Sequence, residues 1–345
     1  MSTFSGEAQG GWLSDRRGRR FVIILGSIIT ILAFVSLIFA SVLYSLIFLI
    51  ISSVILGITS LSRPARRSAT ADSVPSTKLG SAFSIIMVST MLSGSVAPTA
   101  GGWLIDHYGY AFLFLLLSII EGVSILIIIR YKEEHPSKAS KIEWQGIKHF
   151  INNLFVDFNN KRLLLIMTGL DAFSWGVGWG LLYGFISKEF GFQPTQIGIM
   201  ASVMSLSWVI IQVPLGRLID LFGPQLVMLF AQLVGIPLII IWMTQSSIYA
   251  FVLSMIFTAF TGAAWQPAID TYVSNHVSAE ERAETFGKLS AFRDLCGFPA
   301  PLIGGALYQI WGFKAPLTIN LLGVVLIVLI ILLTMNHSAI RMTNA

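Results

Sequence analysis

Residues 21–62 read FVIILGSIITILAFVSLIFASVLYSLIFLIISSVILGITSLS, a run of 42 residues without a charged side chain. A helix needs about 20 apolar residues to cross the roughly 30 Å hydrocarbon core of a bilayer. The run is therefore long enough for two membrane-spanning helices, with a tight hairpin near Ser41–Tyr44. Of the whole chain of 345 residues, 55% are hydrophobic and 11% are charged. Ordinary soluble domains carry about 25% charged residues, so the composition excludes a water-soluble enzyme.

Further apolar runs predict eight more helices, at 81–105, 110–129, 163–187, 194–216, as a pair within 224–269, and at 287–308 and 315–334. The prediction is an all-α polytopic membrane protein with ten transmembrane helices. A rise in charge density marks the boundary between two halves. The predicted domains are an N-terminal bundle, a cytoplasmic linker, a C-terminal bundle and a cytoplasmic tail, over 1–130, 131–162, 163–335 and 336–345.

The positions of lysine and arginine predict the orientation in the membrane. Short cytoplasmic loops carry the positive excess in membrane proteins. If the loop with Arg16–Arg20 is cytoplasmic, strict alternation places 19 of the 22 Lys and Arg residues inside. Lys188 and Lys314 fall outside, and Arg293 lies within a span. The linker and the C-terminus are therefore expected in the cytoplasm of a cell with the protein in its plasma membrane.

The sequence lacks the residues that several classes of function require. The net charge of +5 comes from basic residues between apolar runs, which argues against nucleic acid as a partner. Cys296 is the single cysteine, and the five histidines are scattered, so we expect no metal site and no cofactor. The HExxH, GxSxG and GxxxxGK motifs are absent from the sequence. We therefore expect neither an enzyme nor an ATP-driven pump.

An internal repeat relates the two halves at an offset of 203 residues. Such repeats are how many secondary transporters are built, and this one predicts two pseudo-symmetric bundles. Two predicted helices precede the second copy, whereas ten residues precede the first. We therefore expect a complete form of twelve helices, with the first helix and half of the second missing here. The repeat pairs Gly94, Pro98, Gly101, Gly102 and Gly109 with Gly297, Pro301, Gly304, Gly305 and Gly312.

The segment GGWLSDRRGRR, Gly10–Arg20, resembles the loop motif between helices 2 and 3 of the major facilitator superfamily, and a degenerate copy stands at Gly216–Gly223. The resemblance implies that fold and a cytoplasmic gate, in which the Asp contacts the start of helix 11 and basic residues at the end of helix 4. Topology determination by the arginines is an alternative that does not exclude the gate. The gate residues would be Gly11, Asp15, Arg16, Gly18, Arg19, Arg63, Arg66 and Asp220.

The segment GSVAPTAGG, Gly94–Gly102, is similar to the helix 5 signature of the drug/proton antiporter branch of that superfamily. Glycines on one face permit close contact between helices, and a proline bends the helix that carries it. The signature would therefore form a packing surface that can rock, with static packing as the alternative. The same pattern in Gly297–Gly305 weakens its specificity for exporters.

Charged residues at membrane depth are candidates for the transport site, because each costs about 3 kcal/mol or more there. Asp171 lies near the middle of its span and shares a helix face with Trp175 and Trp179. It is a candidate for substrate or proton binding, with a structural hydrogen bond as the alternative. The other candidates are Trp265 and Gln266, for which plain packing is the alternative, and Arg293 and Asp294, each expected to find its partner on another helix.

Together these features predict a proton-coupled secondary transporter that exports a small amphipathic compound by alternating access. The predicted partners are that compound, protons and the lipid bilayer, and the predicted state is a monomer. An importer of a sugar or organic anion remains an alternative, as does an inactive truncated transporter. Neither the substrate nor the coupling ion follows from scaffold motifs, because the side chains of the cavity determine both.

Overall fold

The computed structural model describes residues 18–59, 62, 65–66, 69–70, 73–74, 79–130, 162–277 and 279–343. Every regular element within these ranges is helical. The first helices are α1 (Arg19–Leu43), α2 (Leu46–Ile58), α3 (Leu79–Ile129) and α4 (Arg162–Gly178). They are followed by α5 (Leu182–Phe190), α6 (Pro194–Phe222), α7 (Pro224–Thr244), α8 (Ile248–His276), α9 (Ala279–Gly297), α10 (Ala300–Trp311) and α11 (Lys314–Thr343).

The predicted hairpin in the first apolar run is present. Helix α1 ends at Leu43, Tyr44 adopts the left-handed conformation with φ 49°, and α2 begins two residues later. The side chain of Tyr44 is 94% exposed, as expected for the tip of a turn between two spans. The Ser36 hydroxyl donates to the carbonyl of Phe48 over 2.8 Å and joins the two helices.

Glycines of the internal repeat adopt matching backbone conformations. Gly109 interrupts α3 with φ 79°, and its repeat partner Gly312 ends α10 with φ 81°. Gly18 precedes α1 with φ 90°, and Gly223, at the related offset of 205, separates α6 from α7 with φ 81°. Side chains other than glycine rarely adopt this region, so the four positions require glycine to turn the chain.

Within the described residues, seven helical segments are long and apolar enough to cross a membrane. One of them, Ile85–Ile129, has 45 residues and contains the break at Gly109, where the sequence predicts two separate spans. Helix α2 is shorter, with 13 residues, and α9 begins with several charged residues. The count of ten helices therefore remains a prediction, whereas several of the described helices have the length and composition of membrane spans.

The span predicted over 163–187 is broken. Helix α4 ends at Gly178, α5 begins at Leu182, and the three residues between them form a turn in which the Trp179 amide donates to the Trp175 carbonyl over 2.7 Å. Hydrophobicity alone predicts one continuous span here, whereas Gly176, Gly178, Gly180 and Gly184 around the turn weaken a helix. Helix α11 continues past the predicted span to Thr343, the last described residue.

The chain divides into two compact units. The first contains the described residues up to Thr90 together with Trp103–Arg130, and a small core forms there around Val22, Ile23 and Ala65. The second contains Met91–Gly102 and the described residues from Arg162 onward. The predicted linker at 131–162 lies outside the described residues except for Arg162, so the domain boundaries remain a prediction.

Two apolar cores stabilise the second unit. One is built by α4, α6, α7, α8, α9 and α11 around residues such as Leu215, Met228 and Ala268. The other lies toward the opposite end of α7 and contains Trp242 and Phe251. Many large apolar side chains are nevertheless exposed on the helices of both units, as expected for surfaces that face lipid.

Helices of the second unit pack closely at the glycines of the Gly94–Gly102 signature. A Cβ atom at Gly102 would lie 2.7 Å from the carbonyl carbon of Pro194, and one at Gly198 would lie 2.8 Å from the carbonyl carbon of Pro98. The Thr99 hydroxyl donates to the Ser202 hydroxyl over 2.8 Å in the same contact. Backbones approach this closely only where the interface is built from small residues.

The second copy of the signature packs in a related way against α4. A Cβ atom at Gly304 would overlap the carbonyl group of Val177, and a Cβ atom at Gly176 would lie 2.7 Å from the Cβ atom of Ala300. Pro301 contacts the position of Gly180, where an added Cβ would be 3.1 Å from its ring. Both copies of the repeat are therefore helix-packing surfaces, and rocking about them remains a prediction.

We expect the substitution Gly198→Ala to lower the stability of the folded protein by about 1–3 kcal/mol, because the added methyl group is forced against backbone atoms that cannot move aside. The measurement is the thermal unfolding midpoint in detergent. Gly216→Ala is the matched control, since it lies on the same helix and its Cβ would meet nothing within 4 Å. Equal midpoints for the two variants would contradict the contact.

Candidate functional site

Asp171 lies in the second unit on α4 and is 5% exposed. Its Oδ1 atom accepts a hydrogen bond of 2.9 Å from Nε2 of Gln232 on α7, and the Trp265 side chain on α8 lies beside it. A buried carboxyl group needs such donors, because burial without them is very costly. The structure therefore joins three helices around Asp171.

The local sequence of α4 explains how this carboxyl group is enclosed. Gly169 and Gly176 flank Asp171 on the helix, and the first of them faces the ring of Phe292 on α9. Larger side chains at these two positions would push α9 and α10 away from α4, since the Phe292 Cδ1 atom would lie 3.1 Å from an added Cβ at Gly169. Small residues therefore bring α9 close enough for its side chains to reach the site.

A second polar network lies beside Asp171. Gln266 Nε2 donates to Oδ1 of Asp270 over 3.0 Å, and the guanidinium of Arg293 donates to Oε1 of Gln266. Arg293 also acts electrostatically on both Asp171 and Asp270. The site thus combines two carboxyl groups and one guanidinium from three different helices.

A small cavity opens next to this network within the second unit. Its volume is about 40 Å³, which is room for roughly three water molecules at 10–15 Å³ each. The wall has a polar part and an apolar part, and the cavity in this form holds water-sized groups and not a drug-sized molecule. The lining residues are Thr168, Trp265, Gln266, Ile269, Asp270, Phe286, Leu289, Ser290 and Arg293.

Trp175 lies on α4 and Trp179 in the turn that follows it, so they do not share one helix face as predicted, and both pack against the apolar core. The ring of Trp179 stacks on Trp242 with centroids 5.5 Å apart, and the ring of Trp175 meets Trp242 edge-on at 6.3 Å. Trp242 is fully buried and donates through Nε1 to the Ser254 hydroxyl over 2.8 Å. Among the predicted tryptophans, Trp265 is the one that lines the cavity.

Arg293 and Asp294 behave differently although they are neighbours in sequence. Arg293 reaches Gln266 on α8, as expected for a partner on another helix. Asp294 is exposed and does not line the cavity. Consecutive helical residues point about 100° apart, so one site can use one of the two but not both.

Part of the predicted gate lies outside the described residues, namely Gly11, Asp15, Arg16 and Arg63. Of the others, Gly18 is the residue before α1, Arg19 begins it, and Asp220 is exposed near the end of α6. The guanidinium of Arg66 donates to Oε1 of Glu121 over 3.4 Å and lies 3.4 Å from the hydroxyl oxygen of Ser27. The first unit thus contains an ion pair that joins α3 to Arg66.

Two residues of the site were not singled out from the sequence. Gln232 is one uncharged amide inside a long apolar run, and Asp270 comes directly after the last residue of such a run. The signal for Asp270 was its position four residues after Gln266, which places both side chains on one helix face. No local pattern marks Gln232, because its partner is 61 residues away.

Comparison with known proteins decides the family. The family model described as Major Facilitator Superfamily matches residues 4–170 and again residues 164–341. The chain belongs to the Major Facilitator Superfamily. It is therefore a membrane transporter and not an enzyme, and the family assignment agrees with the helical spans and with the repeat.

Individual relatives share about a quarter of their aligned residues with this chain. The multidrug resistance protein MdtG of Salmonella arizonae is 25% identical over 312 residues, which cover 88% of this chain and 75% of that protein. The MdtG protein of Salmonella typhi matches to the same extent. Transporters of this superfamily bind small molecules, and the identity of the substrate is not given by such a match.

Solved structures confirm the fold. A nucleoside transporter NupG structure aligns with a TM-score of 0.73 and 15% identity, covering 96% of this chain and 86% of that one. A POT family transporter in complex with 5-aminolevulinic acid aligns with a TM-score of 0.70 and 14% identity, covering 98% and 85%. At this level of identity the likeness establishes the major facilitator fold alone.

The described residues contain no group of three or more His, Cys, Asp or Glu side chains that could hold a metal ion. The polar groups at the site are carboxyl, amide, guanidinium and indole groups. Such groups bind protons and polar parts of small molecules.

Proposed function

We propose that this protein is a proton-coupled exporter of a small amphipathic compound. The observation that carries the proposal is a buried carboxyl group, Asp171, which accepts a hydrogen bond from Gln232 and lies beside Trp265, a residue in the wall of the small cavity. Ionisable residues inside a membrane bundle are expensive and mark proton or substrate pathways. The naming of the MdtG relatives as multidrug resistance proteins supports export rather than import.

In this proposal Asp171 takes up and releases the coupling proton. Arg293 and Gln266 position the second carboxyl group, Asp270, and contact the polar part of the substrate. Trp265 supplies apolar contact area in the cavity. Trp175 and Trp179 stabilise the bundle behind the site through Trp242 and do not meet the substrate.

The rest of the architecture is proposed by the same reasoning. Ten spans form two pseudo-symmetric bundles, with the linker and C-terminus in the cytoplasm. The protein acts as a monomer in the plasma membrane. The positive charge of the predicted cytoplasmic loops supports this orientation.

The proposed gate closes the cytoplasmic side of the transporter. Asp15 and the basic residues near it exchange partners as the bundles rock, and Arg66 holds its own bundle together through Glu121. An ion pair partly removed from water stabilises one arrangement of helices and not the other. The packing surfaces at Gly94–Gly102 and Gly297–Gly305 are where the helices move.

A measurement of the direction of transport is the decisive experiment. A fluorescent amphipathic dye, Hoechst 33342, is offered to inverted membrane vesicles and to whole cells that contain the protein, with and without a pH gradient. Export predicts dye uptake into inverted vesicles that stops when the gradient is collapsed, together with lower dye accumulation in whole cells. Uptake into whole cells with no uptake into inverted vesicles would overturn the proposal.

Import of an organic anion is the second candidate, and one observation favours it. The described hydrogen bond of Arg293 goes to the amide of Gln266, so the guanidinium has further N–H donors for an oxyanion. In the same experiment this candidate predicts that benzoate, as a simple aromatic anion, enters whole cells. Failure of benzoate to enter either preparation would remove this candidate.

A further inference from the structure

The side-chain amide of Gln232 is half satisfied. It is 3% exposed, and its Nε2 atom donates to Oδ1 of Asp171 over 2.9 Å. The other half, Oε1, is buried and has no hydrogen-bond partner among the residues that the structure describes. A buried acceptor without a partner costs free energy, and native proteins leave few of them unpaired.

Protonation of Asp171 would supply the missing donor. An ionised carboxylate can only accept hydrogen bonds, whereas a protonated one has an O–H group to donate. A carboxylic acid and a primary amide are complementary, because the amide N–H donates to the acid carbonyl while the acid O–H donates to the amide oxygen. The first of these two bonds is already formed, so the second needs one proton on Oδ2.

We propose that Asp171 and Gln232 form one proton-binding unit, in which the protonated carboxyl group and the amide are joined by two hydrogen bonds. The inference rests on the proposed proton coupling and assigns Gln232 as the positioning residue for the proton. The proton comes from water and stays on Oδ2, the carboxylate charge is neutralised, and the bond from Nε2 to Oδ1 is retained. Release of the proton returns Oε1 to its unpaired state.

The other charged groups of this site lie on helices other than α7, which carries Gln232. Arg293 on α9 interacts electrostatically with Asp171. Gln266 links Arg293 to Asp270 on α8, because it accepts a hydrogen bond from Arg293 and donates one to Asp270. Lys288 is a further buried cation on α9. Helix α10 carries no charged side chain, and α11 carries the uncharged Asn320 at its buried face. All of these groups remain when Gln232 is replaced, so a change in the spectroscopic signal of Asp171 then comes from the loss of the Gln232 amide.

Infrared difference spectroscopy of the purified full-length protein between low and high pH tests the proposal. The carbonyl stretch of protonated Asp171 is identified by its loss in Asp171→Asn. Hydrogen bonds lower the frequency of that stretch, so Gln232→Leu is expected to shift the band to higher frequency. Gln245→Leu is the matched control, because Gln245 is exposed at the end of the same helix and should leave the band in place.

The possible results separate the two proposals. A band that keeps its frequency in Gln232→Leu would overturn the paired unit while leaving proton binding by Asp171 intact. Identical spectra for the wild type and Asp171→Asn would overturn both, since no proton would then bind at Asp171. If Gln232→Leu does not fold, Gln232→Met replaces it, because methionine is an adaptable unbranched side chain without an amide.

Discussion

The substitution Asp171→Asn is expected to abolish accumulation of substrate against its gradient. One pH unit corresponds to about 1.4 kcal/mol per proton, so an electroneutral exchange of one proton supports about tenfold accumulation for each unit of the gradient. Asparagine has nearly the shape of aspartate and can still accept the hydrogen bond from Gln232. It cannot exchange a proton, so the full tenfold effect should disappear while the fold is kept.

The measurement is dye uptake into inverted vesicles at a fixed pH gradient, with the thermal unfolding midpoint in detergent as a check of folding. Asp294→Asn is the control, because Asp294 is an exposed carboxyl group on a helix of the same unit. It should transport like the wild type. Gradient-driven accumulation by Asp171→Asn at the wild-type level would remove Asp171 from the coupling role.

The substitution Trp242→Ala is expected to have the largest effect on stability, about 3–5 kcal/mol. Trp242 is fully buried, contacts the rings of Trp175 and Trp179, and donates its indole N–H to Ser254. Truncation would leave a large cavity and an unpaired hydroxyl acceptor in the same place. The change should lower the thermal unfolding midpoint and the yield of folded protein in detergent.

A surface tryptophan provides the comparison for this variant. Trp311 is 70% exposed at the end of α10, so Trp311→Ala should change the unfolding midpoint little. The difference between the two variants measures the packing of Trp242 and not the loss of a tryptophan in general. Equal and small effects for both would show that the aromatic cluster does not stabilise the bundle.

The helical plan could be predicted from the sequence because it depends on local properties. Long uncharged runs become helices wherever lipid or a core can receive them, and the hairpin at Tyr44 follows from the length of its run. The repeat was visible for a similar reason. Gly109 and Gly312 keep their offset because each needs a backbone conformation that other residues avoid.

The interruption between Gly178 and Leu182 was missed because the prediction used hydrophobicity and not the glycines Gly176, Gly178, Gly180 and Gly184 that surround it. The break also lies against α10, where Gly304 packs on the Val177 carbonyl. Contacts between distant segments leave no trace in a local pattern of hydrophobicity.

The candidate site was predicted in part for the same reason. Charge at membrane depth identified Asp171 and Arg293, since such residues are rare in apolar spans. The partner of Asp171, Gln232, comes from another helix, and an uncharged amide in an apolar run carries no comparable signal. Trp175 and Trp179 were expected at the site. Helix periodicity predicts the direction in which a side chain points, but it does not predict which residue that side chain contacts.

Proton movement linked to substrate movement is the central claim, and lumen pH measures it directly. Purified protein is reconstituted into liposomes that contain the pH indicator pyranine, and Hoechst 33342 is added on one side. The account predicts a change of lumen pH that accompanies dye transport and is absent in Asp171→Asn. Dye transport by the wild type with no change of lumen pH would contradict the account.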